Sequence, residues 1–197
     1  MKRLPREQVL EKYNKIKEFL NASDELSVEQ KEDLAALLAH LENNTGWLTA
    51  PCSTRYHASY EGGLLEHSLN CVNTILKIKR VLAPDIKDTS AVIVGLLHDV
   101  GKYCAYTQKE PTERQQQFGY PGSITMNKSV PHMNHEDRSL WMISKFYDLS
   151  EEEFASIAFH NVFFRSDDNT FFDAGKLTGL LAMADYWACV FIDEPGN

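Results

Sequence analysis

Apolar residues recur at three- and four-residue spacing along most of the chain, which predicts helices. Val9, Tyr13, Ile16 and Leu20 define a first helix over residues 5–20, with Pro5 in its opening turn. Leu34, Leu37, Leu38 and Leu41 define a second. It starts at Ser27, and Gln30 completes a capping box. Gly62-Gly63 opens a third, running to about Arg80, with Leu64, His67, Cys71, Ile75 and Ile78 on one face. Thr89 or Ser90 caps a fourth, Ala91 to Val100, which is apolar all round and therefore central. Gly101 suits its C-cap, and Gly95 leaves room one turn before Asp99. Asn134 caps a helix over 135–147, and Ser150 with Glu153 caps another that runs to about His160. The last helix, about Ala174 to Ile192, carries Leu177, Leu180, Leu181, Ala184, Trp187 and Val190. Residues 103–133, punctuated by Pro111, Gly119, Pro121, Gly122 and Pro131, read as a loop with a short hairpin near 120–122. Residues 161–173 read as a second loop. With no β-rich stretch and no repeat, the fold class is all-α. Residues 1–48 form a helical scaffold packed on a second part, 49–197, in one compact unit.

Composition narrows the picture. Apolar residues make up 43% and charged residues 24% of 197, as in a globular chain with one core. The net charge of −8 gives no general basic surface, so nucleic acid is not an expected partner. Cys52, Cys71, Cys104 and Cys189 form no Cys-x-x-Cys pair and read as buried thiols in a reducing compartment. Met1-Lys2-Arg3 leads into charged residues rather than an apolar leader, and the apolar runs look short for a bilayer. The expectation is a cytoplasmic protein without a membrane partner.

The candidate chemistry consists of polar residues on apolar faces. His67 lies on the buried face of the third helix. His98 and Asp99 are adjacent at the end of the fourth, and Asp185 falls on the line of Leu181, Ala188 and Ile192. Burying such groups is costly without partners. Each alone has an ordinary explanation, such as a core histidine bonded to a carbonyl or an aspartate in a salt bridge. Together, two imidazoles and two carboxylates make a mixed nitrogen and oxygen set. That set suits Mn, Fe, Co, Ni or Zn; Mg, which prefers all-oxygen shells, suits it less. His40, on the second helix, reads as a packing or surface histidine.

Three segments carry a resemblance: Gly62-Gly63-Leu64-Leu65-Glu66-His67-Ser68, Leu96-Leu97-His98-Asp99-Val100-Gly101-Lys102, and Ala182-Met183-Ala184-Asp185. Their order resembles that of the HD-domain metal-dependent phosphohydrolases, over about residues 50–192. The resemblance implies a helical bundle with a metal site between its central helices. It also implies hydrolysis of a phosphate ester of a nucleotide or related small molecule. His135 and His160 would hold a second ion, with Asp99 bridging; alternatively one ion binds and these histidines line the pocket.

Around such a site, Lys102 lies one turn past Asp99, either as a phosphate contact or as a structural partner of Asp99 or Glu66. Arg55 could clamp phosphate and His57 could bind substrate or donate a proton, if their loop folds over the metal. His132 could share that work, and Arg138 could face the pocket or solvent. Lys109, Arg114 and Lys128 are further cations in the 103–133 loop. A dinuclear-iron oxygenase and a non-catalytic nucleotide-binding HD domain are the competing readings.

Overall fold

The computed structural model describes residues 3–118, 122–161 and 175–195. Its elements run in the order α1 (Arg6–Ala22), α2 (Val28–Asn44), α3 (Gly63–Leu82), α4 (Asp88–Leu97), a 3-10 turn (Val100–Cys104), β1 (Tyr106–Lys109), α5 (Glu113–Gln117), β2 (Ser123–Met126), α6 (His135–Ile143), α7 (Glu151–Phe159) and α8 (Gly175–Trp187). A π-helical turn, Ala188–Ile192, continues α8. The fold is mostly helical.

Local chemistry sets several boundaries. At α2 the Ser27 hydroxyl accepts from the Gln30 N–H, and the Gln30 side chain accepts from the Ser27 N–H. Ser150 and Glu153 do the same at α7, and Asn134 accepts from the Asp137 N–H at α6. The start of α4 differs from expectation. The helix begins at Asp88, and Thr89 donates both its N–H and its hydroxyl to the Glu25 carboxylate. Glu25 thus supplies the acceptor and a favourable charge at this N-terminus from 64 residues away.

α4 is the buried centre. Ala91 to Leu97 is almost wholly enclosed, and α3, α7 and α8 pack around it. Gly95 does not make room for Asp99. A Cβ there would meet the Val72 backbone at 3.1 Å, so this glycine lets α3 approach α4 closely. Nor is Gly101 a helix C-cap: α4 has already ended, and Gly101 lies inside the 3-10 turn, against the backbone of α6. α1 and α2 share the same core through Val9, Tyr13, Leu37, Leu41 and Trp47. The Leu4 N–H and the Tyr60 hydroxyl both donate to Glu66 on α3. His40 packs against the Phe146 ring.

The described residues of 103–133 hold regular structure that the punctuation does not predict. β1 and β2 pair antiparallel from Tyr106 opposite Met126 to Lys109 opposite Ser123, with α5 between them. The two short strands flank the expected hairpin position without making a β-rich stretch; four residues are too few for alternation to register in the sequence. The expected hairpin tip at Tyr120-Pro121 lies outside the described residues, as does the 161–173 loop apart from Asn161. Gly175–Ile192 is continuous and apolar enough to cross a membrane by length and composition, contrary to the sequence reading. Yet 44% of it is buried inside the protein, and Asp185 sits within it.

Candidate metal centre

Five helices deliver polar groups to one point. α3 contributes His67, and the end of α4 contributes His98 and Asp99. α6 opens with His135, His160 caps the end of α7, and α8 carries Asp185. His67, His98, Asp99, His160 and Asp185 are all buried; His135, with 28% of its side chain exposed, forms the open edge.

Each imidazole is held by its outer nitrogen. His67 Nδ1 donates to Asp193 at 2.7 Å, and His98 Nδ1 to the Gly95 carbonyl at 3.1 Å. His160 Nδ1 donates to the Ile157 carbonyl at 2.8 Å, and His135 Nδ1 faces Glu136 at 3.2 Å. All four therefore turn Nε2 inward, as metal-binding histidines do when the other ring nitrogen is hydrogen-bonded. His67 Nε2 lies 3.3 Å from His98 Nε2, 3.2 Å from Asp185 Oδ1 and 3.5 Å from Asp99 Oδ2. On the other side, Asp99 Oδ1 lies 3.3 Å from His135 Nε2 and 4.0 Å from His160 Nε2. Asp99 Oδ1 is buried with no hydrogen-bond partner. An orphaned carboxylate oxygen facing two imidazoles fits a cation well and fits little else. These clusters of buried donors can hold a metal ion.

The electrostatics show the same demand for positive charge. Lys102 Nζ lies 2.6 Å from Asp99 Oδ2. Burial alone would raise the Asp99 pKa, but Lys102 and the imidazoles outweigh it and hold the carboxyl well below the ordinary range. Burial would lower Lys102, yet Asp99 holds its ammonium well above the usual value. Burial also opposes a charge on His67, but the Asp193 and Asp185 carboxylates raise it well above an ordinary imidazole. His98 goes the other way, down to about 3, because burial dominates there. Protons on His67 and Lys102 thus supply charge that a metal ion would otherwise provide.

The remaining predicted site residues divide. The loop over 50–61 does fold beside the centre, tied down by the Ala58 N–H donating to the Glu194 carbonyl. It places the half-buried His57 ring 5.1 Å from that of His67. Burial, then the charges on His67 and Lys102, bring the His57 pKa down to about 4. Arg55 instead stands at the surface, stacked on Tyr56 and donating to its hydroxyl. His132 is exposed, as are Lys109, Arg114 and Lys128. Arg138 is buried but faces neither pocket nor solvent: it donates to the Pro131 carbonyl at 2.7 Å and to Cys104 at 3.1 Å. Its guanidinium clamps the turn before α6, the nearest set of acceptors.

Several participants escaped the sequence reading. Asp193, past the end of α8, receives His67 and is also bonded by Asn70. Asn161 donates to Glu136 at 2.7 Å and lies 2.9 Å from His135 Nε2. Three cysteines gather here. Cys71 Sγ is 3.5 Å from His67 Nε2, Cys189 Sγ 3.3 Å from Asp185, and Cys52 Sγ 3.8 Å from Asp99. Cys52 and Cys71 fit the expected buried thiols, with burial raising both to about 12, whereas Cys104 and Cys189 are only half-buried. For Cys71 a signal existed: it follows His67 by four residues on one helix face.

No family model matches the chain, and no solved structure matches it. A stretch of 65 residues is 35% identical to a dihydroneopterin 2',3'-cyclic phosphate phosphodiesterase of Methanocaldococcus jannaschii. It covers 31% of this chain and 26% of that relative, so the chain matches about a quarter of the relative's length.

Proposed function

We propose that this chain is an HD-domain phosphohydrolase that hydrolyses a phosphate ester of a nucleotide or related small molecule at a two-metal centre. The observation that carries the reading is Asp99, whose two oxygens face two separate sets of inward-turned imidazoles. His67, His98, Asp185 and Asp99 Oδ2 would hold one ion; His135, His160 and Asp99 Oδ1 would hold the other. The donor set favours Mn, Fe, Co, Ni or Zn over Mg. When bound, such ions polarise a phosphoryl oxygen and lower the pKa of water from ~15.7 toward ~7.

The chain's own residues do the rest. Lys102, with 13% of its side chain exposed, offers an ammonium to the charge that develops on the phosphoryl oxygens. His57 is neutral at physiological pH and reaches the centre from the 50–61 loop, where it can hydrogen-bond a leaving oxygen. Entry is along the exposed edge of His135. The relative's cyclic phosphate ester belongs to the substrate class proposed here, and the acidic net charge disfavours nucleic acid.

The test is a screen of phosphomonoesters, linear phosphodiesters and 2',3'-cyclic nucleotides with Mn, Fe, Co, Ni, Zn and Mg. Native protein and Asp99→Ala are assayed side by side, with and without oxygen. Metal-dependent, oxygen-independent release of phosphate or phosphomonoester, lost in Asp99→Ala, is expected. Turnover that requires oxygen would move the assignment to the oxygenases. Full metal content and activity in Asp99→Ala would overturn it altogether.

A further inference from the structure

We infer that Cys71 is a direct ligand of the ion held by His67, His98 and Asp185, making that half of the centre a thiolate-bearing site selective for softer divalent ions. The inference rests on the metal-centre reading above and adds a donor that the resemblance did not bring with it.

The placement follows from α3. Cys71 lies four residues after His67, so its sulfur and the imidazole share one helix face. Its Sγ is 3.5 Å from His67 Nε2. The donor atoms of His67, Cys71, His98 and Asp185 all lie within 4.8 Å of one another, and all four residues are buried. Ligands of one ion at bond lengths of ~2.0–2.3 Å stand roughly 3.3–4.5 Å apart, so the sulfur is already near coordination distance. On binding, the Cys71 S–H bond breaks, a sulfur–metal bond forms and the proton leaves to solvent. No electron is transferred.

The other two thiols are placed differently. Cys52 groups with His67 and Asp99 but not with His98, and its sulfur also approaches Lys102 Nζ at 3.9 Å. Cys189 lies 3.3 Å from Asp185 Oδ1 but groups with His57, His67 and Asp193 and not with His98, and the Asp193 oxygens already receive His67 Nδ1 and Asn70. A sulfur donor shifts preference toward Zn, Co and Fe and away from Mg and Mn.

Cobalt(II) tests this directly. Metal-free protein given one equivalent should show visible ligand-field bands, which report a filled site. It should also show an intense near-ultraviolet sulfur-to-cobalt charge-transfer band. Cys71→Ser and Cys71→Ala should lose the near-ultraviolet band and keep the visible ones, while Cys52→Ser and Cys189→Ser keep both. The ratio of Zn to Mn affinity should fall by at least about tenfold in Cys71→Ser. Visible bands without a near-ultraviolet band in native protein would overturn the inference, as would a band that survives in both Cys71 variants. If native protein binds no cobalt at all, the metal-centre reading itself fails, a result distinct from either of these. Should a Cys71 variant misfold by circular dichroism, the native spectrum and the Cys52 and Cys189 variants still decide.

Discussion

Gly101 is the sharpest place to perturb one half of the centre. It lies in the 3-10 turn just after Asp99, pressed against the first turn of α6. A Cβ there would stand 2.5 Å from the His135 carbonyl oxygen, 2.6 Å from the Ser139 nitrogen and 2.8 Å from Arg138 Cβ. Two of these are backbone atoms, which cannot swing aside. Ordinary contact begins at 3.4 Å, so α6 must retreat by about 0.9 Å for Gly101→Ala. Overpacking of this kind costs ~1–3 kcal/mol. The Gly101 N–H also donates to the Ser139 hydroxyl at 2.8 Å, and stretching that bond adds about 1 kcal/mol. A total loss of roughly 2–4 kcal/mol is expected in urea unfolding of metal-free protein. His135 is the first residue of α6 and moves with it, away from Asp99 Oδ1. The ligands from α3, α4 and α8 stay in place. Calorimetric titration should show one ion bound as in the native protein and the second weakened by at least about tenfold. A displacement near 1 Å also predicts turnover slowed by roughly a hundredfold. If Gly101→Ala leaves stability within about 0.5 kcal/mol and both ions bound, the geometric reasoning about α6 and the second site is wrong.

Three further outcomes follow from the same geometry. Lys102→Ala strands Asp99 in a buried site, so metal-free protein should lose about 3–5 kcal/mol, and saturating Mn should restore most of that while turnover stays slow. Equal stabilisation of native and variant by Mn would refute the charge substitution. Asp193→Asn weakens the grip on His67 Nδ1 and should lower affinity for the first ion by about 10–100-fold in a chelator competition; unchanged affinity would show that Asp193 does not position His67. The pH dependence of metal-free stability has a definite sign. His98 and His57 have folded pKa values of about 3 and about 4, against about 6.5 unfolded, so the unfolded chain binds more protons as pH falls below about 6.5. His67 acts oppositely: its stabilisation is complete below about 6.5 and fades as pH rises through its elevated folded value. Between pH 7 and 5 His98 and His57 cost about 2 kcal/mol each, His135, also lowered by burial, adds to the loss, and His67 offsets part of it, so stability falls. A urea midpoint that is flat over that range would contradict it.

What was legible in the sequence was what depends on near neighbours. Ser27 with Gln30, Ser150 with Glu153, and Asn134 announce their helices because a cap is satisfied within three residues. His67, His98, Asp99 and Asp185 stood out because each interrupts an apolar face, and the fold brings all four together. What failed depends on distant partners. Thr89 or Ser90 suits a cap by position, but Thr89 donates to Glu25 from another turn of the chain. Within their own helix Gly95 and Gly101 suggest room for Asp99 and a C-cap, whereas both are spaces for a different helix. The spacing lets Arg138 face either pocket or solvent, but its acceptors are the Pro131 carbonyl and the Cys104 thiol. Asp193 lies beyond the last apolar stripe, so no periodicity marks it.

The charge balance of the interior explains why these scattered residues belong together. Asp99, Asp185, Asp193 and Glu136 are all buried within one neighbourhood, and Lys102 meets Asp99. Uncompensated, that many carboxylates in a low-dielectric interior would each cost several kcal/mol. The chain answers in two stages. The outer carboxylates, Asp193 and Glu136, are engaged by His67, His135, Asn70 and Asn161, which fixes the imidazole tautomers. The inner ones, Asp99 and Asp185, are left facing nitrogen lone pairs, Lys102 and the raised proton of His67. Each inner group that is satisfied by a proton is one that a divalent ion satisfies better, because the ion binds carboxylate and imidazole at once. Metal uptake at this centre should therefore release protons, and release more of them at the His67 side than at His98, whose ring is already neutral. Titration with Mn in two buffers of different ionisation enthalpy measures that number; no proton release at pH 7 would mean that the interior charge is balanced some other way.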